Sequence, residues 1–153
     1  MFSKTVEYAL RAIVHLAQHT PDAQKTSQIA ASTKVPAAYL SKVLQGLQVA
    51  GLVKMQRGIG GGVSLVDSPD DLTILDIVNA VEPIERIRTC PLELKSHGTR
   101  LCALHRRMDK AIEETEKAFR STTLAEILAE PNQSVPLVDS AVGKKRSTSK
   151  AKK

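Results

Sequence analysis

Residues 35–65 read VPAAYLSKVLQGLQVAGLVKMQRGIGGGVSL, and the spacing of their apolar side chains changes halfway along. The first part repeats its aliphatic residues at helical spacing, which predicts a helix that begins at Pro36 and ends at Gly51. The second part has two short β-prone runs, LVKMQR and VSLV, joined by the glycine-rich turn GIGGG, which predicts a β-hairpin. The buried stripe of the helix is formed by Leu40, Val43, Leu44 and Leu47.

The flanking segments extend this pattern. Apolar residues at helical spacing predict a first helix over residues 3–18, and Thr26 or Ser27 can cap a short second helix. Thr73, followed three residues later by Asp76, predicts a capping box at the start of another helix. The order helix, helix–turn–helix, hairpin, helix is that of a winged helix-turn-helix.

A longer helix is predicted over residues 104–119. Its apolar stripe is too narrow for a monomer core and lies beside a highly charged remainder, which is typical of a helix that pairs with a second copy of the chain. The open alternative is a helix that packs back on its own domain. Thr123 with Glu126 can cap one more short helix. The stripe consists of Leu104, Met108, Ala111, Thr115 and Ala118.

These elements define the predicted fold class: mainly α with a small β-hairpin wing, a winged helix-turn-helix plus a long C-terminal dimerisation helix. The predicted units are a DNA-binding domain over 1–82, a Cys/His sensor loop over 83–105, a dimerisation helix with a short C-terminal helix over 104–130, and a disordered basic tail over 131–153.

The charge distribution points to a polyanionic partner. The formal net charge is +6, but six of the 22 basic residues lie within residues 144–153, and the other 16 balance the 16 acidic residues. Between residues 23 and 66 there is no Asp or Glu, whereas five basic residues fall there. A patch of one sign in an otherwise balanced domain favours nucleic acid as a partner, with a chance gap in acids as the alternative. The five are Lys25, Lys34, Lys42, Lys54 and Arg57.

The chain shows no sign of a membrane or secreted protein. No apolar stretch approaches the roughly 20 residues that span a bilayer, and the N-terminal segment reads as an amphipathic helix rather than a signal peptide. We therefore expect a cytoplasmic protein. A structural disulfide is unusual in that compartment, which favours a metal or redox role for the two cysteines.

The outward side of the helix that follows Pro36 carries small, polar or basic groups. An α-helix fits the major groove, and its N-terminal half contacts base edges. Ser41, Lys42 and Gln45 are the predicted base-facing residues, Ala38 lies on the same side, and Tyr39 can donate its hydroxyl to a phosphate. The alternative is an ordinary solvated helix face.

The glycine-rich turn reads as the tip of the wing. Val63 stands where a nucleotide-binding GxGxxG would need its last glycine, and a strand follows instead of a helix. Glycines allow a sharp turn and close approach to a minor groove, and a narrow groove attracts arginine. The predicted wing contacts are Arg57, Gly58, Gly60 and Gly61.

Three segments resemble one family. KTVEYALRAIVHLA, the stretch quoted above and LTILDIVNAVE are similar to the IscR/NsrR/RsrR-type transcriptional regulators of the Rrf-two/BadM family, over about residues 1–128. The resemblance implies a homodimer that binds a palindromic operator in double-stranded DNA, and a repressor as the function. Val63 departs from the aromatic residue that usually follows the wing glycines.

The resemblance also bears on TCPLELKSHGTRLCALH, residues 89–105, which holds both cysteines. Cluster-binding relatives carry three cysteines there, five residues apart; Cys90 and Cys102 match the outer two, and Ser96 occupies the middle position. His105 matches a histidine ligand of IscR-like proteins. The resemblance therefore implies a [2Fe–2S] cluster.

A two-iron cluster needs four protein ligands. Glu7 is similar to a carboxylate that some relatives contribute from the first helix of the other subunit, and it completes the set Cys90, Cys102, His105 and Glu7, with His97 as a spare. Three alternatives stay open: zinc or another metal, a thiol–disulfide switch or other effector, and no cofactor at all.

A winged-helix protein–protein adaptor is the alternative to DNA binding. An enzyme is not expected, since the sequence offers no nucleophile–base pair on adjacent structure, no paired carboxylates in a predicted cleft and no nucleotide loop.

Overall fold

The computed structural model describes residues 2–97, 100–131 and 135–137. Within them it has a mostly helical fold with one antiparallel hairpin, which confirms the predicted fold class. None of the helices in this part of the chain is both long and apolar enough to cross a membrane. The elements are α1 (Lys4–Gln18), α2 (Thr26–Thr33), α3 (Ala37–Val49), β1 (Val53–Gln56), β2 (Gly62–Leu65), α4 (Ile74–Val81), α5 (Ala103–Arg120) and α6 (Leu124–Ala129).

The capping boxes at Thr73 and Thr123 form as the sequence predicts, with each hydroxyl accepting from the backbone N–H three residues later. The predicted cap of α2 is wrong. The cap position is Lys25, whose backbone N–H donates to Gln28 Oε1 over 2.8 Å. A side chain within the helix therefore provides the hydrogen-bond partner for a backbone N–H at its N-terminal end. Pro36 lies one position earlier than expected, at the cap of α3 and not inside its first turn.

The main core is aliphatic, as the composition requires. The predicted stripe of α3 is buried against α1 and α2, and its leucines are no more than 1% exposed. Val53 and Val63, on the inner face of the hairpin, are buried in the same core. Truncating one such leucine to alanine costs about 2–5 kcal/mol, so this packing fixes α3 relative to the wing. The largest buried side chains of this core include Ile13, Leu16, Ile29, Leu40, Leu44 and Leu47.

The wing is attached to the rest of the domain by an additional bridge. The two strands pair from Val53 opposite Leu65 to Gln56 opposite Gly62. Gln24, in the turn between α1 and α2, exchanges two backbone hydrogen bonds of 2.8 Å with the residue after Gly62. A Cβ at Gly62 would lie 2.7 Å from the Gln24 carbonyl oxygen, so the close approach requires glycine there.

A second, smaller cluster fixes the end of α5. Phe119 packs with Val6 and Val78, which belong to α1 and α4. Just beyond α5, Leu124 donates its N–H to the Leu72 carbonyl over 2.8 Å. The C-terminal end of α5 therefore packs back on its own domain, while no residue of α5 is fully buried.

Of the basic tail predicted over 131–153, the structure describes residue 131 and residues 135–137. There the side chain of Gln18 donates to the Pro136 carbonyl over 2.7 Å, which joins this short piece to α1. The rest of the predicted tail lies outside the described residues.

Candidate nucleic-acid interface and sensor loop

The outward face of α3 is exposed along its whole length. Its buried side is the leucine and valine stripe, and the exposed residues carry no negative charge. The structure thus brings the predicted base-facing groups onto one accessible surface. The exposed set is Ala37, Ala38, Tyr39, Ser41, Lys42, Gln45, Gln48 and Val49.

Two hydroxyl groups of this face have partners inside the chain. Ser41 Oγ donates to the Ala37 carbonyl over 3.1 Å, which leaves its lone pairs free to accept. The Tyr39 hydroxyl lies 2.9 Å from Thr5 Oγ1, and its ring packs edge-on against Tyr8 with centroids 5.4 Å apart. The two hydroxyls of Tyr39 and Thr5 therefore form a polar pair where α1 meets α3. Sequence reasoning missed Thr5, because the two residues lie far apart in the chain.

The wing tip is built on glycine. Gly58 and Gly60 have φ values of 95° and 73°, in the left-handed region that disfavours side chains. A Cβ at Gly61 would lie 2.5 Å from the Gln56 carbonyl oxygen. Arg57 is exposed at the start of this turn, and no acidic side chain of the described chain forms an ion pair with it.

A groove of about 420 Å³ joins α3 to the wing. Gln45 and Gln48 of α3 line one side, and Gln56 and Arg57 of the wing line the other. Amide and guanidinium groups can hydrogen-bond both phosphates and base edges. The outward face of α3 and the wing are therefore one continuous surface without an acid, which we call the α3–wing surface.

In the sensor loop each cysteine is free and lies beside a histidine. Cys90 Sγ is 3.4 Å from His97 Nδ1, and Cys102 Sγ is 3.4 Å from His105 Nδ1. The backbone at Leu94 and then the His97 ring lower the pKa of the Cys90 thiol by hydrogen bonding, against the effect of burial. The sequence singled out His105 for its spacing, but it left His97 as a spare ligand.

The predicted cluster ligands do not come together in one chain. Glu7 pairs with Arg11 over 2.9 Å on the exposed side of α1. Throughout residues 2–97, 100–131 and 135–137, no three His, Cys, Asp or Glu side chains are grouped closely enough to hold a metal ion. The donor set of a single described chain therefore does not fit a four-ligand iron–sulfur site.

An ion pair connects the segment before the loop cysteines to α5. Arg86 donates two hydrogen bonds of 2.7 Å to Asp109, and the backbone N–H of Ile87 donates to the same carboxylate over 2.9 Å. Glu113 and Glu116 lie 3.5 and 3.6 Å from the same guanidinium. A bidentate pair has a fixed geometry, so α5 cannot shift without moving this segment.

A winged helix-turn-helix with a helical C-terminal extension is an architecture of transcriptional regulators. The family model described as "Rrf2: Iron-dependent Transcriptional regulator" matches residues 2–130, and the chain belongs to this family. This confirms the resemblance and, with it, the class of DNA-binding regulators.

The chain is also similar to individual proteins. A protein of Aquifex aeolicus (strain VF5), named as an HTH-type transcriptional regulator, is 30% identical over 131 residues, which are 84% of this chain and 91% of that protein. CymR, the global cysteine regulator of B. subtilis, is 26% identical with a TM-score of 0.68, over 83% of this chain and 95% of that one. IscR of T. potens is 26% identical with a TM-score of 0.69, and the match covers 84% of this chain and 85% of that one.

Proposed function

We propose that this chain is a homodimeric, sequence-specific DNA-binding repressor, controlled through the chemical state of its sensor loop. The observation that carries the proposal is the α3–wing surface, which is exposed, basic and free of acids over its whole extent. Two such surfaces related by a two-fold axis bind a palindromic operator, because half-site symmetry follows protein symmetry.

Each part of the surface has a proposed role. Ser41, Lys42 and Gln45 read base edges in the major groove, and Ala38 faces the groove at the same level. The Tyr39–Thr5 hydroxyl pair binds a backbone phosphate near the start of α3. The wing places Arg57, Gly58, Gly60 and Gly61 in the minor groove.

The dimer forms through the apolar stripe of α5. Leu104 is 64% exposed and Met108 is 46% exposed on the same helix face, so the described chain leaves a large part of each side chain uncovered. A second copy of the helix would bury this stripe on both sides of a symmetric contact. In this proposal residues 1–82 bind DNA, 104–130 dimerise and 83–105 form the sensor.

The sensor acts through its two cysteines. Cys102 is the N-cap residue of α5, and Arg86 holds the other end of the loop to Asp109. A change in bonding at Cys90 or Cys102 would move α5, and α5 is packed on α1 and α4 through Phe119. The spacing of the two α3 helices in the dimer then changes, which alters operator affinity.

The [2Fe–2S] cluster stays a prediction from the family resemblance. Cys90, Cys102 and His105 would need a fourth ligand in the dimer, such as Glu7 of the partner subunit. Anaerobic purification with iron and sulfide assays tests it, and Cys90→Ala and Cys102→Ala should each abolish bound iron. A preparation without iron after anaerobic reconstitution contradicts the cluster and favours a thiol switch.

The DNA-binding proposal is tested by selection from a random duplex library on the purified full chain. The expected result is a palindromic consensus with half-sites about one helical turn apart, since each α3 enters one major groove. Lys42→Ala should weaken recovery of that consensus, and Lys110→Ala on α5 is the matched control. Failure to enrich any motif would contradict the proposal.

A further inference from the structure

The wing tip ends in one side chain. Gly58, Gly60, Gly61 and Gly62 carry no side chain, so Ile59 is the single residue of 58–62 that can contact anything by more than its backbone. Its side chain is fully exposed, at 109% of the reference area. It therefore adds nothing to the core, and its position at the tip makes it the first group to meet whatever the wing approaches.

We propose that Ile59 enters the DNA minor groove and selects against G·C base pairs at the position it contacts. The inference rests on the proposed DNA-binding function and deepens it by assigning a specificity residue. Apolar side chains inserted from such tips are a recurring way to contact the minor groove. The neighbouring glycines let the backbone come close enough for the side chain to reach the floor of the groove.

The chemistry of the groove floor sets the preference. A·T pairs present only acceptors there, whereas G·C adds the guanine N2 amine in the centre of the floor. An isoleucine side chain against that amine leaves its N–H donor buried without a partner, which is unfavourable. Both kinds of pair present acceptors on the floor, so the amine is the difference that the Ile59 side chain meets, and against A·T it contacts no donor.

The experiment uses duplexes selected from a random library by the full chain. Each base pair flanking the major-groove half-sites is prepared in three forms: A·T, G·C and inosine·C. Inosine·C keeps the major-groove edge of G·C but lacks the N2 amine, so it separates minor-groove from major-groove effects. Dissociation constants are measured by fluorescence anisotropy for the natural chain, for Ile59→Ala, and for Val66→Ala as a control at another exposed β-branched residue.

At one or two pairs per half-site, the natural chain and Val66→Ala should bind A·T and inosine·C alike and G·C about tenfold more weakly. Ile59→Ala should bind all three forms within about twofold. Ile59 makes no core contact, so its variant should keep the thermal stability of the natural chain. An unchanged preference in Ile59→Ala, or inosine·C as weak as G·C, would overturn the inference while leaving DNA binding intact. If the library yields no bound duplex, the proposed function itself fails.

Discussion

The guanidinium group of Arg86 donates two parallel hydrogen bonds of 2.7 Å to the carboxylate of Asp109. Both side chains are about 15% exposed, and 23 positions separate them in the chain. The hydrogen bonds from Arg86, and then that from the Ile87 backbone, lower the pKa of Asp109. Within the described chain this pair links the sensor loop to the proposed dimerisation helix.

Asp109→Asn should lower the melting temperature by several degrees at neutral pH, because it removes the charged partner of the bidentate pair and leaves the largely buried Arg86 with only the longer contacts to Glu113 and Glu116. A carboxylate whose pKa is lower in the folded chain than in the unfolded chain stabilises the fold at pH values above its unfolded pKa of about 3.9. This contribution is lost as the pH falls through the pKa of the folded chain. The difference in melting temperature between the natural chain and the variant should therefore be constant above about pH 5 and shrink below about pH 4.

Calorimetry or circular dichroism over that pH range measures the effect. Glu114→Gln is the matched control, since Glu114 pairs with Lys117 over 3.7 Å on the exposed side of the same helix. Exposed pairs contribute little, so the control should melt with the natural chain. Equal melting of both variants would show that the Arg86–Asp109 pair does not stabilise the loop.

Arg57→Ala should weaken operator binding by about tenfold and reduce the magnitude of the log–log salt slope by about one per protomer. The reason is that an exposed arginine without an ion-pair partner in the described chain releases counterions from DNA when it binds. Titrations of a selected duplex at several salt concentrations measure both quantities. Lys110→Ala, on α5, should leave the slope unchanged, and a slope that also stays the same in Arg57→Ala would exclude this contact.

Met108→Glu should convert the proposed dimer to a monomer, because it places a charge in the centre of the apolar stripe of α5. Met108 is 46% exposed in the single chain, so the monomer should fold as before. Sedimentation equilibrium measures the mass, and Lys110→Glu is the charge-changing control away from the stripe. A Met108→Glu chain that remains dimeric would place the interface elsewhere.

His15 is 3% exposed, and its Nε2 has no hydrogen-bond partner among the described residues. Burial and then the neighbouring His19, whose ring centroid lies 4.3 Å away, lower the pKa of His15 from its ordinary value of 6.5, while the nearby Gln24 side chain acts in the opposite direction. For a histidine with a lowered folded pKa, stability is fully present above pH 6.5 and falls as the pH drops towards the folded pKa, since the unfolded chain then binds more protons.

His15→Leu should therefore melt at the same temperature or higher at pH 7, because it removes a buried polar group. It should also lose the stability decrease between about pH 6.5 and 5 that the natural chain shows. His19→Gln, at an exposed position, should keep most of that decrease. If His15→Leu retains the full pH dependence, another group is responsible for it.

The local elements of the fold could be predicted from the sequence. The stripe of α3, the hairpin and the caps at Thr73 and Thr123 depend on residues within a few positions of each other, and all of them form. The cap of α2 was wrong because Gln28 reaches back to Lys25, a contact that a scan for Ser or Thr does not detect.

The remaining site features depend on pairs that lie far apart in the chain. No periodic signal in the sequence predicts these pairs, because only the tertiary fold brings their members together. They are Gln24 with Val63, Thr5 with Tyr39 and Arg86 with Asp109. The predicted cluster ligands have the same difficulty. The family resemblance paired Cys102 with His105, but it drew Glu7 from the other subunit, so a single chain does not place Glu7 relative to them.

Residues 36–62 form the basic surface that we propose binds double-stranded DNA. The most direct test is the anisotropy of fluorescent duplexes, prepared from genomic fragments that include the promoter of this protein's own gene, titrated with the purified chain at several salt concentrations. We expect saturable binding of a subset of fragments, with a log–log salt slope of about −5 to −10 for a dimer. No association with any fragment in dilute buffer, or a slope near zero, would exclude DNA binding by this surface.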